Sequence, residues 1–176
     1  AEGMNGCATF EFFVRAMPAG RGFLVAAGLA QLVDYLTTLR VAPDELAWLA
    51  ASGRFDAAFV DSLSDLAFTG DVDAMPEGTV FFADEPIVRV TAPLREAQLV
   101  ESRAINLLHF ETLVASKAIR CALAAPGRTL VDFGLRRAHG AEAGLLSARA
   151  TYLAGFTGTA TVAAGRAFGI PVFGTM

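Results

Sequence analysis

Apolar residues along this chain follow two rhythms, and the changes between them mark the elements. Ala8 to Arg15 (ATFEFFVR) is rich in Phe and other β-formers and predicts a strand. Pro18-Ala19-Gly20-Arg21-Gly22 is a turn. From Phe23 to Leu39 the residues Leu24, Ala27, Leu32 and Tyr35 keep near one face, which predicts a helix. Pro43-Asp44-Glu45 opens a short helix, with proline and acids where the first-turn N–H groups are free; Gly53 ends it. Asp56 to Ala67 predicts another short helix.

Between Gly70 and Ala92 the apolar residues fall into short runs cut by Met75-Pro76-Glu77-Gly78 and Asp84-Glu85-Pro86, which predicts three short strands with tight turns. Pro93 precedes a long helical stretch, 94–125. Its apolar positions Ala97, Val100, Ala104, Leu107 or Leu108, Val114, Ala118 and Cys121 recur at helical spacing until Pro126-Gly127. After that the rhythm is β/α. Leu130 to Phe133 reads as a strand, Gly134 to Gly140 as a polar loop and Ala141 to Ala154 as a helix. Gly155 to Thr159 reads as a loop, Thr161 to Phe168 as a helix and Ile170 to Phe173 as a strand. Strands alternating with helices imply a parallel sheet or barrel. The fold class read from this order is α/β: residues 1–125 form an N-terminal α/β domain with the long helix as a bridge, and 126–176 begin a β/α barrel.

Composition narrows the classes. Hydrophobic residues make up 54% of the 176, which argues for a packed core against disorder. The net charge is −4 with no basic block or basic-aromatic stripe, so nucleic acid is not expected as a partner. Mean hydropathy is positive. Yet the most apolar stretch, Phe23 to Val33, is too short to span a bilayer, so no membrane partner is expected. Cys7 and Cys121 lie in no metal-ligand spacing and are expected to be small buried residues. No signal peptide is visible, which makes a cytoplasmic location the default. The chain starts Ala1-Glu2-Gly3-Met4 and stops at Gly174-Thr175-Met176, directly after a strand-like run. We therefore expect a piece of a longer protein.

In parallel β/α architectures ligands bind beyond the C-terminal ends of strands. One such end here is Asp132-Phe133-Gly134-Leu135-Arg136-Arg137-Ala138-His139-Gly140; the other is Gly174-Thr175-Met176. Arginine grips carboxylate or phosphate through two parallel hydrogen bonds, and Phe133 could stack on a flat ring. The competing reading has Arg136 and Arg137 paired with acids on neighbouring helices and Phe133 filling the core. Glu101 and His109 on the long helix read as a surface ion-pair member and a packed or interfacial histidine. Lys117, the only lysine, reads as solvated or as a phosphate contact across an interface.

Seven stretches resemble the nicotinate phosphoribosyltransferase family: FEFFVR, GRGFLVAAGL, FTGDVDAMPEGTVFF, VRVTAPLREAQLVES, VDFGLRRAHG, GFTGTATVAAG and GIPVFGTM. They run through nearly the whole chain in family order. A weaker likeness to quinolinate phosphoribosyltransferase lies in the long helix at Glu101, Asn106, Ser116 and Ala118. The resemblance implies joining of nicotinate to phosphoribosyl pyrophosphate with coupled ATP hydrolysis, giving nicotinate mononucleotide for NAD biosynthesis. It implies Mg2+ and ATP as cofactors, an irregular β/α barrel and a homodimer with shared active sites. Residue by residue, Phe133 matches an aromatic that stacks on the pyridine ring in the related nicotinamide enzyme. Arg136 matches an arginine near ring and phosphate, Arg137 its neighbour, and Thr175 a threonine contacting nicotinate. The catalytic histidine that carries phosphate in the family would fall beyond Met176, and His139 is not its equivalent. Ala160 stands where the nicotinamide enzyme has an aspartate. A carboxylate there would suit an amide and repel nicotinate, so alanine favours the acid.

The alternatives are a non-catalytic binding or dimerisation fragment, or a nicotinamide or quinolinate phosphoribosyltransferase relative. Quinolinate, with a second carboxylate, would want a denser cationic cluster. Since the histidine-bearing run is expected outside these residues, the 176-residue chain by itself should show no phosphoribosyl transfer. A coupled pyrophosphate-release assay with nicotinate, phosphoribosyl pyrophosphate, Mg2+ and ATP checks this, and clear turnover would refute it.

Overall fold

Alternation in β1 (Cys7–Phe12) turns Phe10 and Phe12 onto the core and leaves Thr9 and Glu11 toward solvent or neighbouring strands. The computed structural model describes residues 6–174. In it β1 pairs antiparallel with β5 (Val88–Pro93), Phe10 opposite Val90, and β5 pairs antiparallel with β3 (Asp71–Ala74). The sheet order is β1-β5-β3. The three strands expected between 70 and 92 are present, the middle one being β4 (Val80–Phe81).

The stretch expected as one helix from Phe23 to Leu39 is instead a strand followed by a helix. β2 (Leu24–Val25) pairs antiparallel with β4, and α1 (Leu29–Thr38) begins only after Gly28. The reason is burial on both faces. Leu24 and Ala26 enter one core while Val25 and Ala27 enter another, so the run shows no polar alternation and mimics a helix face. Gly28 makes the break: its φ is 99°, and a Cβ there would lie 2.9 Å from the Leu107 carbonyl oxygen.

α2 (Pro43–Ala51) starts at its proline, and Glu45 reaches back to accept the Ala42 N–H at 2.8 Å. α3 (Ala57–Asp61) is shorter than the 56–67 expected, and the chain continues as turns through Leu63 and Leu66, which are buried.

α4 (Leu94–Ala124) runs 31 residues, about 46 Å at 1.5 Å per residue. Its first half contributes Ala97, Val100, Ala104 and Leu108 to the larger core, beneath the sheet and α1. Its second half contributes Ala115 and Ala118 to a smaller core shared with β2 and with Ala150 and Ala154. The stripe between them is polar yet buried: Glu111, Thr112 and Ser116. The hydroxyls complete β2. Ser116 accepts the Val25 N–H at 2.8 Å; Thr112 accepts the Ala27 N–H at 3.3 Å and donates to the Ala27 carbonyl at 3.2 Å. Helix side chains thus supply what a neighbouring strand would. Cys121, expected on the buried stripe, is exposed, because the last turns of α4 extend past the smaller core. Cys7, at the start of the edge strand β1, is exposed as well.

Beyond Pro126 come β6 (Val131–Asp132), a 3-10 turn (Leu135–Arg137), α5 (Ala141–Leu153), β7 (Gly158–Thr159) and α6 (Val162–Phe168). β6 and β7 pair in parallel, and Thr159 bridges in parallel to Val172. β7 lies in the stretch expected as a loop: two residues carry no readable alternation. Side by side, β6, β7 and the Val172 segment are the α/β part of the fold. No helix among the described residues is long and apolar enough to cross a membrane.

Replacing Ser116 with Ala leaves the buried Val25 N–H without an acceptor. A loss of about 1–3 kcal/mol is expected, read as a lower urea midpoint at unchanged slope.

Candidate functional site

Three parallel segments end side by side, and the residue after each end is set by the pairing register. Asp132 sits opposite Thr159, so Phe133 and Ala160 follow as neighbours about 4.8 Å apart across the strand direction. The Ala160 N–H donates to the Asp132 carbonyl at 2.8 Å, and the Phe173 N–H donates to the Thr159 carbonyl at 2.9 Å. Asp132, buried, organises the turn. Its Oδ1 accepts the Gly134 N–H at 3.0 Å and its Oδ2 accepts the Thr159 hydroxyl at 2.9 Å; that hydroxyl accepts the Thr161 N–H at 3.0 Å. One carboxylate therefore ties the loop after β6 to the loop after β7.

The loop after β6 then turns into solvent. The Arg137 N–H bonds the Gly134 carbonyl at 2.8 Å, closing the 3-10 turn that carries Arg136 and Arg137. Both arginines are exposed, and neither forms an ion pair among the described residues. Phe133 is 45% exposed, so it does not fill the core. The competing reading of a packed phenylalanine between paired arginines does not hold. His139 is exposed in the same loop. Thr175 lies outside the described residues. Of the remaining candidates, Glu101, His109 and Lys117 are exposed on α4. Glu101 borders an apolar groove of about 110 Å³ between the sheet and α4, lined by Phe10, Phe12, Val90 and Ile105 among others. None of the groove's lining residues belongs to the strand-end loops.

The 3-10 turn is docked on α5 by close approach. A Cβ on Gly144 would fall 2.3 Å from Leu135 Cδ1, so the Leu135 side chain rests directly on the backbone of the first turn of that helix. Further along α5, Arg149 enters the interior. It holds Glu77 with two hydrogen bonds, 2.9 and 2.6 Å, and Glu111 with one of 3.1 Å. Its guanidinium lies 6.0 Å from the centre of the Phe168 ring of α6. Glu77, in the turn between β3 and β4, also accepts the Gly28 and Leu29 N–H groups at 2.7 and 3.1 Å. It thereby caps α1 from a distant loop, where the helix dipole favours a negative charge.

The two carboxyls are unlike. Burial raises Glu77, but the hydrogen bonds and charge of Arg149 and the two backbone N–H groups outweigh it and hold the group below the usual range. Glu111 is 0% exposed, and its Oε1 has no hydrogen-bond partner among the described residues. Burial pushes it up, Arg149 only partly offsets that, and the nearby Glu77 adds repulsion; the group sits at about 7. Burial lowers Arg149, but both carboxylates more than reverse this and keep it charged.

None of these three residues was singled out from the sequence. One signal was available for Glu111: it occupies the apolar stripe between Leu108 and Ala115, where a carboxylate must find a cation. Nothing in the spacing identifies which arginine answers, since Arg149 is 38 residues from Glu111 and 72 from Glu77. Among the described residues no group of three or more His, Cys, Asp or Glu side chains could hold a metal ion.

A family model described as nicotinate phosphoribosyltransferase (NAPRTase) N-terminal domain matches residues 1–109. The chain is 49% identical over 176 residues to nicotinate phosphoribosyltransferase pncB2 of Mycobacterium tuberculosis, covering 100% of this chain and 38% of that protein. It is 40% identical over 168 residues to the nicotinate phosphoribosyltransferase of Bacillus subtilis, covering 96% of this chain and 34% of that protein. The crystal structure of human nicotinic acid phosphoribosyltransferase superposes with a TM-score of 0.88 at 37% identity, over 98% of this chain and 35% of that one. The chain thus spans a little over a third of the length of these relatives.

The raised Glu111 carboxyl makes a signed prediction. A group with a folded-state value near 7 against an ordinary 4.5 favours folding most when both states are protonated. Its contribution should fall as pH rises from about 4.5 to about 7, by up to about 3 kcal/mol, and then level off. Glu77, lowered, adds the opposite slope only near and below the ordinary value of 4.5, so the decline toward 7 belongs to Glu111. Urea unfolding of the parent and of Glu111→Gln, compared across pH, should show a stability difference that declines over this interval. A pH-independent difference would contradict it.

Proposed function

The chain belongs to the nicotinate phosphoribosyltransferase family, and on that premise we propose that its strand-end loops bind nicotinate and phosphoribosyl pyrophosphate while nicotinate mononucleotide is formed. The observation that carries this reading is the exposed trio Phe133, Arg136 and Arg137, free of acid partners among the described residues, in the loop that follows the parallel strand β6. An exposed ring in one loop with two guanidinium groups that have no acid partner among the described residues suits a flat, anionic substrate.

In the proposed reaction the pyridine nitrogen attacks C1 of the ribose while the bond from C1 to the pyrophosphate oxygen breaks. The electron pair leaves with pyrophosphate. The sugar gains positive character between the two events, so positioning and charge stabilisation supply most of the catalysis. Phe133 orients the ring by stacking. Arg136 binds the carboxylate or a phosphate oxygen, with Arg137 beside it. Thr175 is part of the same proposal as a nicotinate contact. Mg2+ and ATP, implied by the family resemblance, find no acid or histidine cluster to hold them among the described residues, so no step is routed through them. A homodimer with shared sites belongs to the same reading.

Ala160 supports nicotinate over nicotinamide. It is half-buried and next to Phe133 across the strand ends, and it offers no charge against a substrate carboxylate. In the full-length protein, Ala160→Asp should raise the KM for nicotinate about ten-fold or more through like-charge repulsion. Arg136→Met should weaken nicotinate binding by about 10- to 100-fold, the loss of a charge-assisted pair. Steady-state kinetics and calorimetric titration check both, and comparable turnover of nicotinamide by the unsubstituted protein would overturn the substrate assignment.

A further inference from the structure

Arg149 is rooted on α5 and reaches three other parts of the fold: Glu111 on α4, Glu77 in the turn before β4, and the Phe168 ring on α6. The loops that form the candidate site hang from the same two helices. Loop 133–140 enters α5, residues 160–161 enter α6, and the Val172 segment leaves α6. The first turn of α5 carries Gly144, on which Leu135 of the 3-10 turn rests. Arg149 lies five residues further on, about 7.5 Å along the axis. The guanidinium's hold and the surface that supports Arg136 and Arg137 thus belong to one short helix.

We propose that Arg149 is a positioning residue: through its bonds to Glu77 and Glu111 it fixes α5 and α6 against α4, and so sets the place of the arginine-bearing loop 133–140 and of the Ala160 turn. The role of that loop in substrate binding rests on the proposed function above; the mechanical link from Arg149 to the loop does not. The fork geometry matters as much as the charge. Two parallel bonds to Glu77 fix the plane of the guanidinium, and the same Nη1 also reaches Glu111. A lysine keeps the charge and the salt bridge but cannot hold both carboxylates in one plane. The site can therefore lose register without losing its fold.

The test uses the full-length protein with Arg149→Lys, and with Glu111→Gln as a milder second variant that leaves the Glu77 pair intact. Hydrogen exchange followed by mass spectrometry reads the loop directly. The amides of Arg137 and Ala138, bonded to Gly134 and Leu135 carbonyls, should exchange about ten-fold faster in Arg149→Lys and by a smaller factor in Glu111→Gln. Amides of α4 between Val100 and Leu108 should be unchanged. In steady state, the KM for nicotinate should rise about ten-fold while kcat changes less than about three-fold, the signature of misplaced binding groups. If Arg149→Lys does not fold, the Glu111→Gln variant decides the matter by the same exchange readout. Unchanged exchange at 134–140, or acceleration spread evenly through α4 and α5, would overturn the proposal. Exchange needs no substrate, so a protein without phosphoribosyl transfer would remove the proposed function and leave this inference to be judged separately.

Discussion

A guanidinium taken out of water has to be surrounded by acceptors, and the way Arg149 meets that demand ties the structure together. Its acceptors come from a turn 72 residues earlier and a helix 38 residues earlier. Removing Glu77 takes away two of the three hydrogen bonds and leaves the guanidinium buried with too few partners, a situation far more costly than the pair is stabilising. The arrangement is also unequal. Glu77 is fully engaged, by Arg149 and by two backbone N–H groups of α1, while Glu111 keeps an oxygen with no partner among the described residues. One carboxylate serves as a firm anchor; the other is held at the edge of ionisation by burial.

Around that anchor, small residues bring elements close enough for backbone and short side chains to do the joining. Ala115, Ala118, Ala150 and Ala154 share the smaller core, where α4 packs against α5. At the strand ends Asp132 plays a similar role on a smaller scale, holding Gly134 and Thr159 with its two oxygens. The exposed loop beyond it is thus built on a rigid base. This reconciles the exposure of Phe133 and Arg136 with a defined geometry, since the base of their loop is tied by Asp132 and its turn is closed by the Arg137 N–H to the Gly134 carbonyl.

Much of the fold was legible from punctuation. Pro93 and Pro126-Gly127 bracket α4 within a residue, because a proline or an αL glycine is read the same way in any context. β2 and β7 were not legible. Both are two residues long and buried, so neither shows the alternation by which a strand is recognised, and the Phe23–Ala27 run borrows the look of a helix face. At the candidate site, the loop carrying Phe133, Arg136 and Arg137 could be found because residue type and position at a strand end agree. The Arg149 cluster could not, because its members belong to three separate elements and only folding brings them together. The exposed Cys121 shows the reverse limit: helical spacing continues past the end of the surface it packs on.

The hydroxyls of α4 that complete β2 bear on the order in which the chain can assemble. Val25 and Ser116 are 91 positions apart, and Ala27 and Thr112 are 85. On a ribosome, the second strand emerges long before the helix that satisfies it. β4 can cover one edge earlier, but until α4 is made the other edge of this apolar ribbon keeps unpaired backbone groups open to any other strand. Closing such a long loop is slow in its own right. The same two side chains that complete the finished core thus leave one edge of that strand without its partners while roughly the next ninety residues are made.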